Sequence, residues 1–75
     1  METFGERVRR LRAERGLSRY AVSKATGLSQ PLLKKLDTMR TGNNVTGHTL
    51  RQLARFFGLT MEELLGPDEA EPHAA

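Results

Sequence analysis

The side chains with the most recognisable chemistry lie close together, between positions 30 and 35. Gln30 carries an amide that can donate and accept hydrogen bonds, Pro31 is apolar, and Lys34 and Lys35 follow. A glutamine amide fits the N6 and N7 edge of adenine, a lysine can donate to O6 and N7 of guanine, and proline can contact a thymine methyl group. These four residue types therefore suit the reading of base edges. The alternative is a pair of solvated lysines beside a polar cap residue.

Catalytic and metal-binding chemistry have no comparable set of residues. The chain contains no cysteine, and His48 and His73 are too far apart in sequence for local metal-ligand spacing. We recognise no nucleophile paired with a base and no glycine-rich phosphate loop, and a chain of 75 residues is too small for a deep pocket. The sequence therefore predicts a protein that is not an enzyme and that binds no cofactor or metal.

Charge is distributed unevenly along the chain. All 12 Lys and Arg fall in residues 1–57, which carry +8, whereas residues 58–75 contain five acidic residues and carry −5. The positive first three quarters favour a polyanionic partner, although a basic face can also be merely solvated. No apolar stretch is long enough for a membrane span or a secretory signal. We therefore expect a cytoplasmic protein with no membrane partner.

Hydrophobic periodicity and cap residues predict five short helices and no strand, so the fold class is all-α. Helices 1 and 5 open with capping boxes, and glycine ends helices 1, 2, 4 and 5. Residues 38–46, between helices 3 and 4, are predicted to form a surface loop. The predicted helices run from Thr3 to Gly16, from Ser18 to Thr26, from Ser29 to about Asp37, from Gly47 or His48 to Phe57, and from Thr60 to Gly66.

Length and composition predict one domain followed by a short tail. A chain of 75 residues has room for one core, which we assign to residues 1–66. Residues 67–75 are acidic, contain proline and lack large apolar groups, so we expect them to be disordered.

The connection between helices 2 and 3 is the most informative local pattern. Only Gly27 and Leu28 join the helices, and a glycine that accepts a positive φ lets the two axes cross steeply. Ser23 is small, and it lies where helix 2 would contact helix 3. Val22 and Ala25 are assigned to the apolar face of helix 2. This pattern indicates a helix-turn-helix, with an ordinary helical hairpin as the alternative. The predicted inward-facing positions are Val22, Thr26, Leu28, Leu33 and Leu36.

Three stretches, in the same order and spacing, resemble the Xre/Cro-like helix-turn-helix family, which has the lambda-repressor-like fold. They are FGERVRRLRAERGLS, AVSKATGLSQPLLKKLD and TLRQLARFFGLTMEELLG, within residues 3–66. The resemblance implies a five-helix domain whose third helix enters the major groove of double-stranded DNA, while the start of helix 2 and the loop after helix 3 hold phosphates. The chain departs from the family at Arg19, where glutamine is usual, at Ser23, where alanine is usual, and in a longer loop after helix 3.

The resemblance also assigns contacts to individual residues. Gln30, Pro31 and Lys35 occupy the positions of the family's usual base contacts, whereas Lys34 is assigned either to a base or to a phosphate. The N–H groups and positive dipole end of helix 2 suit a phosphate, and for Ser18 a role as helix cap is compatible with that contact. A solvated turn remains the alternative for the loop residues. The predicted phosphate contacts are Ser18, Arg19, Ser29, Arg40, Thr41, Asn43 and Asn44.

Two further residues match positions that form an ion pair in the family. We expect Arg12 on helix 1 to pair with Asp37 at the end of helix 3, as a structural contact. Removing one partner would leave a poorly solvated charge.

Leu32 lies off the core stripe of helix 3, and it either packs on helix 2 or contacts DNA.

A domain this small makes few base contacts, so specific binding is expected from two copies on a twofold-related site. We expect a homodimer, at least on DNA, with half-sites about 34 Å apart and transcriptional repression as the simplest outcome. Antitoxin or controller proteins share this fold, which leaves a toxin or a polymerase as a further protein partner. A protein-interaction module with an acidic partner is the alternative from another class. The candidate dimer interface on helix 5, which could equally complete the monomer core, is Leu59, Met61, Leu64 and Leu65.

Overall fold

The computed structural model describes residues 2–66, and within that range the chain forms five α-helices and no strand. The predicted all-α class and five helices are therefore confirmed, while the predicted disordered tail lies outside the described residues. None of the helices in this range is long and apolar enough to cross a bilayer. The helices are α1 (Phe4–Glu14), α2 (Arg19–Thr26), α3 (Gln30–Leu36), α4 (Gly47–Phe57) and α5 (Met61–Leu65).

Each helix begins where a hydroxyl side chain accepts a hydrogen bond from a backbone N–H group of the first turn. Ahead of α1, the Thr3 hydroxyl accepts from the Glu6 N–H at 3.0 Å, and the Thr3 N–H donates to the Glu6 carboxylate at 2.9 Å. The same reciprocal capping box opens α5. Thr46 caps α4 and makes Gly47 its first residue. These local pairs explain why the predicted helix starts agree with the structure.

The apolar residues of all five helices meet in one core. Helix α2 packs against α3 and α4, helix α1 packs against α3 and α5, and α4 packs against α5. Removal of these side chains from water is the main source of stability in a chain without disulfides. The buried members are Phe4, Val8, Leu11, Val22, Leu28, Leu33, Leu36, Leu50, Leu53, Ala54, Phe57 and Leu64.

The predicted burial of Ala25 is wrong, because this side chain is exposed. On α2, Val22 is buried and Thr26 is half-buried, so the inner side of the helix is centred between these two residues. Each residue advances about 100° around an α-helix. Ala25 is therefore turned away from the inner side, although its spacing from Val22 resembles that of an apolar stripe.

The connection between α3 and α4 is only partly the surface loop that the sequence predicts. Gly42 is buried, and a Cβ atom there would lie 2.5 Å from Cδ2 of Leu65 and 3.1 Å from the ring of Phe4. Met39 and Val45 are half-buried against the core. An irregular segment has no apolar period, so the sequence pattern could not reveal that its backbone lies against Phe4.

Two arginines of the first helical region stabilise the ends of other helices. Arg7 Nη1 donates to the carbonyl oxygens of Leu64 and Leu65 at 3.2 and 2.8 Å. Arg15 Nη2 donates to the carbonyl oxygen of Phe57 at 2.8 Å, and its guanidinium lies 5.1 Å from the centre of the same residue's ring. These carbonyls close α5 and α4, where no partner exists within the helix. The contacts add to the stability of both helix ends.

Arg10 makes its contacts with acidic side chains near the surface. It donates to Glu2 at 2.7 Å and to Glu14 at 3.0 Å. The hydrogen bond from Arg10 lowers the pKa of Glu2, and the contacts with Glu2 and Glu14 raise the pKa of Arg10. Because these groups remain largely in contact with solvent, the pairs contribute little to stability.

Candidate nucleic-acid interface

The turn between α2 and α3 is fixed by a set of short hydrogen bonds. Gly27 adopts a φ of +81°, in the region that favours glycine. The Ser23 hydroxyl donates to the Leu28 carbonyl oxygen at 2.6 Å, and the Thr26 hydroxyl accepts from the Leu28 N–H at 3.2 Å. The Leu28 side chain is itself buried in the core. These contacts hold the two helices in a helix-turn-helix arrangement.

Helix α3 has one apolar side in the core and one polar side in solvent. Leu33 and Leu36 are 1% and 0% exposed, and they fix the orientation of the helix. Leu32 is half-buried and packs against the core, which favours the packing role for this residue over contact with DNA. The exposed side carries all four predicted base-reading residues, Gln30, Pro31, Lys34 and Lys35.

An open groove lies where the start of α2 meets the start of α3. Arg19, Gln30, Pro31 and Lys34 line this groove, whose volume is about 380 Å³. Neither helix has an acidic residue in its first turn, so two cationic side chains and the N–H groups of α2 give the groove a positive potential. The structure thus brings a predicted phosphate contact, Arg19, beside three of the predicted base-reading residues. Lys35 lies one position further along the exposed side.

Ser18 and Ser29 are the N-caps of α2 and α3, and both side chains are exposed. The Ser18 hydroxyl accepts from the Ala21 N–H at 3.0 Å, and the Ser29 hydroxyl accepts from the Leu32 N–H at 3.2 Å. A hydroxyl that accepts such a bond keeps its own proton to donate. Each cap can therefore donate to a phosphate oxygen without losing its bond to the helix.

The other predicted phosphate contacts lie on the connection between α3 and α4. Arg40, Thr41, Asn43 and Asn44 are all exposed there. The Thr41 hydroxyl accepts a weak hydrogen bond from the Asn43 N–H at 3.4 Å. All four residues are polar donors on one short segment, and this segment follows directly on the carboxyl end of α3.

The expected ion pair between α1 and the end of α3 is present. Arg12 Nη2 lies 3.1 Å from one carboxylate oxygen of Asp37, and Nη1 lies 3.3 Å from the other. The two side chains are 13% and 11% exposed, so the pair is largely withdrawn from solvent. Two parallel bonds fix the relative orientation of the charged groups better than a single contact would. The pair therefore attaches α3 to α1 at the end remote from the groove.

The structure leaves Tyr20, on α2, more exposed than an aromatic side chain usually is. The side chain is 57% exposed, and Lys24 Nζ lies 5.8 Å from the centre of its ring. An exposed tyrosine beside Arg19 can contact a nucleic-acid backbone through its hydroxyl. Periodicity alone could not distinguish this position from a half-buried one next to α3.

A helix-turn-helix whose second helix presents an exposed basic side, inside an all-α unit of five helices, defines a class of DNA-binding domain. The chain belongs to the Cro/C1-type HTH DNA-binding family, whose sequence profile matches residues 7–69. This match confirms the resemblance to the Xre/Cro-like family. The family consists of DNA-binding transcriptional regulators rather than enzymes, and membership implies double-stranded DNA as a partner.

Two relatives carry names that agree with this class. The chain is 42% identical to the HTH-type transcriptional regulator DdrOP3 of Deinococcus deserti over 60 residues, which are 80% of this chain and 45% of that protein. It is 37% identical over 68 residues to y4dJ of Sinorhizobium fredii, an uncharacterised HTH-type transcriptional regulator, covering 91% of this chain and 86% of the relative. The chain thus spans less than half the length of DdrOP3 and most of the length of y4dJ.

Proposed function

We propose that this DNA-binding domain is a transcriptional repressor that binds a palindromic operator as a homodimer, with α3 in the major groove. The observation that carries the proposal is the exposed polar side of α3, bordered at its start by Arg19. An α-helix fits the major groove, where each base pair presents a distinct pattern of donors and acceptors. Repression is the simplest outcome, because a protein bound at an operator excludes other proteins from the same DNA.

Base reading is assigned to Gln30, Pro31, Lys34 and Lys35. These residues occur as two adjacent pairs four positions apart, so they share one side of α3. Leu33 on the opposite side anchors the helix in the core, and a rigid helix presents its side chains in one register. Lys34 also lines the groove with Arg19, which supports the alternative assignment of this lysine to a phosphate.

The phosphate contacts are assigned to two places on the surface. Ser18, Arg19 and Ser29 lie at the starts of α2 and α3, where backbone N–H groups and the positive helix end favour an anion. The second place is the segment after α3, whose residues are exposed donors. Contacts of this kind position the protein on the duplex without reading its sequence. The contacts of the second place are Arg40, Thr41, Asn43 and Asn44.

Homodimerisation is assigned to the surface around α5. Leu59, Met61 and Leu65 are half-buried in a single chain, so part of each side chain remains for a partner. Leu64 differs from them because it is fully buried, and it belongs to the core of the single chain. The proposed interface therefore contains three of the four residues that the sequence indicates.

The proposal is tested by selecting duplexes from a random pool with the purified domain. We expect enrichment of one motif with twofold symmetry, bound more tightly than random duplexes of the same length and salt concentration. Specific binding of this kind typically exceeds nonspecific binding by about 10³-fold or more. Equal binding to selected and random duplexes would contradict the proposal and would favour a protein-interaction module. A reporter gene placed behind the selected motif then distinguishes repression from activation.

A further inference from the structure

The first turn of α1 is bonded to the backbone of the segment that follows α3. The Gly5 N–H donates to the Met39 carbonyl oxygen at 2.8 Å, and the Phe4 N–H donates to the Arg40 carbonyl oxygen at 2.9 Å. N–H groups in the first turn of a helix have no partner within that helix. Here they find their partners outside α1, so the helix holds the segment by two backbone hydrogen bonds.

This attachment requires that Gly5 has no side chain. A Cβ atom at Gly5 would collide with the carbonyl oxygen of Asp37, and it would lie 2.5 Å from the carbonyl carbon of Asp37 and 2.9 Å from the carbonyl oxygen of Leu36. The backbone of Gly5 is not in the positive-φ region, so the position demands space rather than an unusual conformation. The end of α3 and the start of α1 can approach this closely only when residue 5 is glycine.

Gly42 makes a second close approach at the other side of the same segment. It is buried between the ring of Phe4 and the side chain of Leu65, and its φ also lies outside the positive region. Arg40 and Thr41 lie between the backbone bonds to α1 and this buried glycine. Their backbone is thus held at both ends while their side chains are exposed.

The geometry points to Gly5 and Gly42 as positioning residues for phosphate binding: they hold the backbone of Arg40 and Thr41 so that both side chains meet the DNA backbone. This inference rests on the proposed function, since it concerns how the same interface is built. Neither glycine touches DNA. Each acts by letting the segment after α3 lie directly on α1 or on the core.

The test compares Gly5→Ala and Gly42→Ala with Gly47→Ala in duplex binding over a range of salt concentrations. Gly47 is a suitable control because it is the first residue of α4 and a Cβ there meets no atom within 4 Å. We expect both test variants to bind all duplexes more weakly than the control. The slope of log affinity against log salt should fall by about 0.9 for each phosphate that the variant no longer neutralises. For Gly42→Ala the motif selected from a random pool should stay the same, because the added Cβ faces Leu65 and Phe4 and leaves α3 with Gln30 and Lys35 in place.

The slope separates positioning from loss of stability. A variant that is only less stable has fewer folded molecules, but those molecules release the same number of counterions on binding. Binding is therefore measured on an isolated half-site, where the proposed dimer contact of Leu65 plays no part, and at a temperature at which circular dichroism shows each variant to be folded. The Cβ atom of Gly42→Ala would meet side-chain atoms of Leu65 and Phe4 rather than backbone atoms. This variant therefore tests the inference even when Gly5→Ala does not fold.

Slopes and affinities of Gly42→Ala equal to those of Gly47→Ala would overturn the inference while leaving the proposed function intact. A wild-type domain that selects no motif would overturn the proposed function and the inference with it. A changed motif with an unchanged slope would also contradict the inference, because the displaced element would then be α3 itself.

Discussion

Three arginines of this chain have guanidinium groups bonded within the fold. Arg7 and Arg15 donate to backbone carbonyls at helix ends, and Arg12 is paired with Asp37. Their charges hold helices together and are only partly available to a ligand. The cations on the α2 and α3 side, by contrast, line the groove or stand exposed beside it. Under the proposed function, fewer cations are therefore available to DNA than the number of basic residues suggests.

The proposed base reading by α3 predicts that single substitutions change the preference at single base pairs. Gln30→Ala and Lys35→Ala each remove the side chain that can bond a base edge, while Leu33 keeps the helix in place. We expect each variant to lose about 1–3 kcal/mol of discrimination at one position of each half-site. Selection from a random pool, repeated with each variant, measures this directly.

A matched control for these variants is Arg55→Ala. Arg55 is an exposed cation in the last turn of α4, which packs against α2 and α5. Its removal should leave the selected motif unchanged. If Gln30→Ala and Lys35→Ala also left the motif unchanged, α3 would not be the reading helix.

The proposed phosphate binding at the start of α2 predicts a different result for Arg19. This side chain lines the groove but is not part of the exposed side of α3. We expect Arg19→Ala to weaken binding to all duplexes by a similar factor and to reduce the salt slope by about one unit. Titrations of a selected and a random duplex at several salt concentrations provide both quantities. An effect restricted to the selected duplex would assign Arg19 to base reading instead.

At the scale of helices, local sequence is enough to predict where each element begins. A cap and its partner lie within one turn, as Thr3 and Glu6 do, so residue types at fixed spacing reveal the pair. The contacts between helices differ from the caps because they join residues that are far apart in sequence. The bond from Arg7 to Leu65 spans 58 positions, and the approach of Gly5 to Asp37 depends on how two helices pack. No periodic pattern carries that information.

The same distinction applies to the candidate interface. Exposure of Gln30 and Lys35 follows from the period of one helix whose inner side is marked by Leu33. The position of the segment after α3 does not follow from any period, because it depends on the bonds that α1 donates to that segment. Ala25 shows that periodicity can fail even within one helix, because a small apolar residue is compatible with the buried side and with the exposed side.

The ion pair between α1 and α3 predicts a measurable loss of stability. Arg12→Ala would leave Asp37 largely buried without its partner, at a cost of about 3 kcal/mol, near the lower end of the range for breaking a buried pair. Denaturant unfolding measures the change. Arg10→Ala is the control on the same helix, because its partners Glu2 and Glu14 are nearer the solvent, and it should change stability much less. Equal losses for the two variants would show that burial of the Arg12 pair does not matter.

Under the proposed function, one copy of the domain offers too few base contacts to specify an operator alone. The exposed side of a helix of seven residues carries four candidate base contacts. Two copies related by a twofold axis double that number and require a fixed distance between two reading helices. We therefore predict that the selected motif contains two inverted half-sites whose centres are about 34 Å apart, one turn of the duplex.

Spacing and interface can be tested together. Inserting half a helical turn of DNA between the half-sites rotates them to opposite sides of the duplex, so affinity should fall towards that of one half-site.

Met61→Gln should have the same effect on the intact site, because part of the Met61 side chain is available to a partner. Binding of this variant to an isolated half-site should be preserved. Ala13→Gln, an exposed substitution on α1, is the control and should leave both affinities unchanged. If affinity were insensitive to the inserted DNA, the two domains would bind independently, and the regulator would have to obtain its specificity from something other than a paired α3.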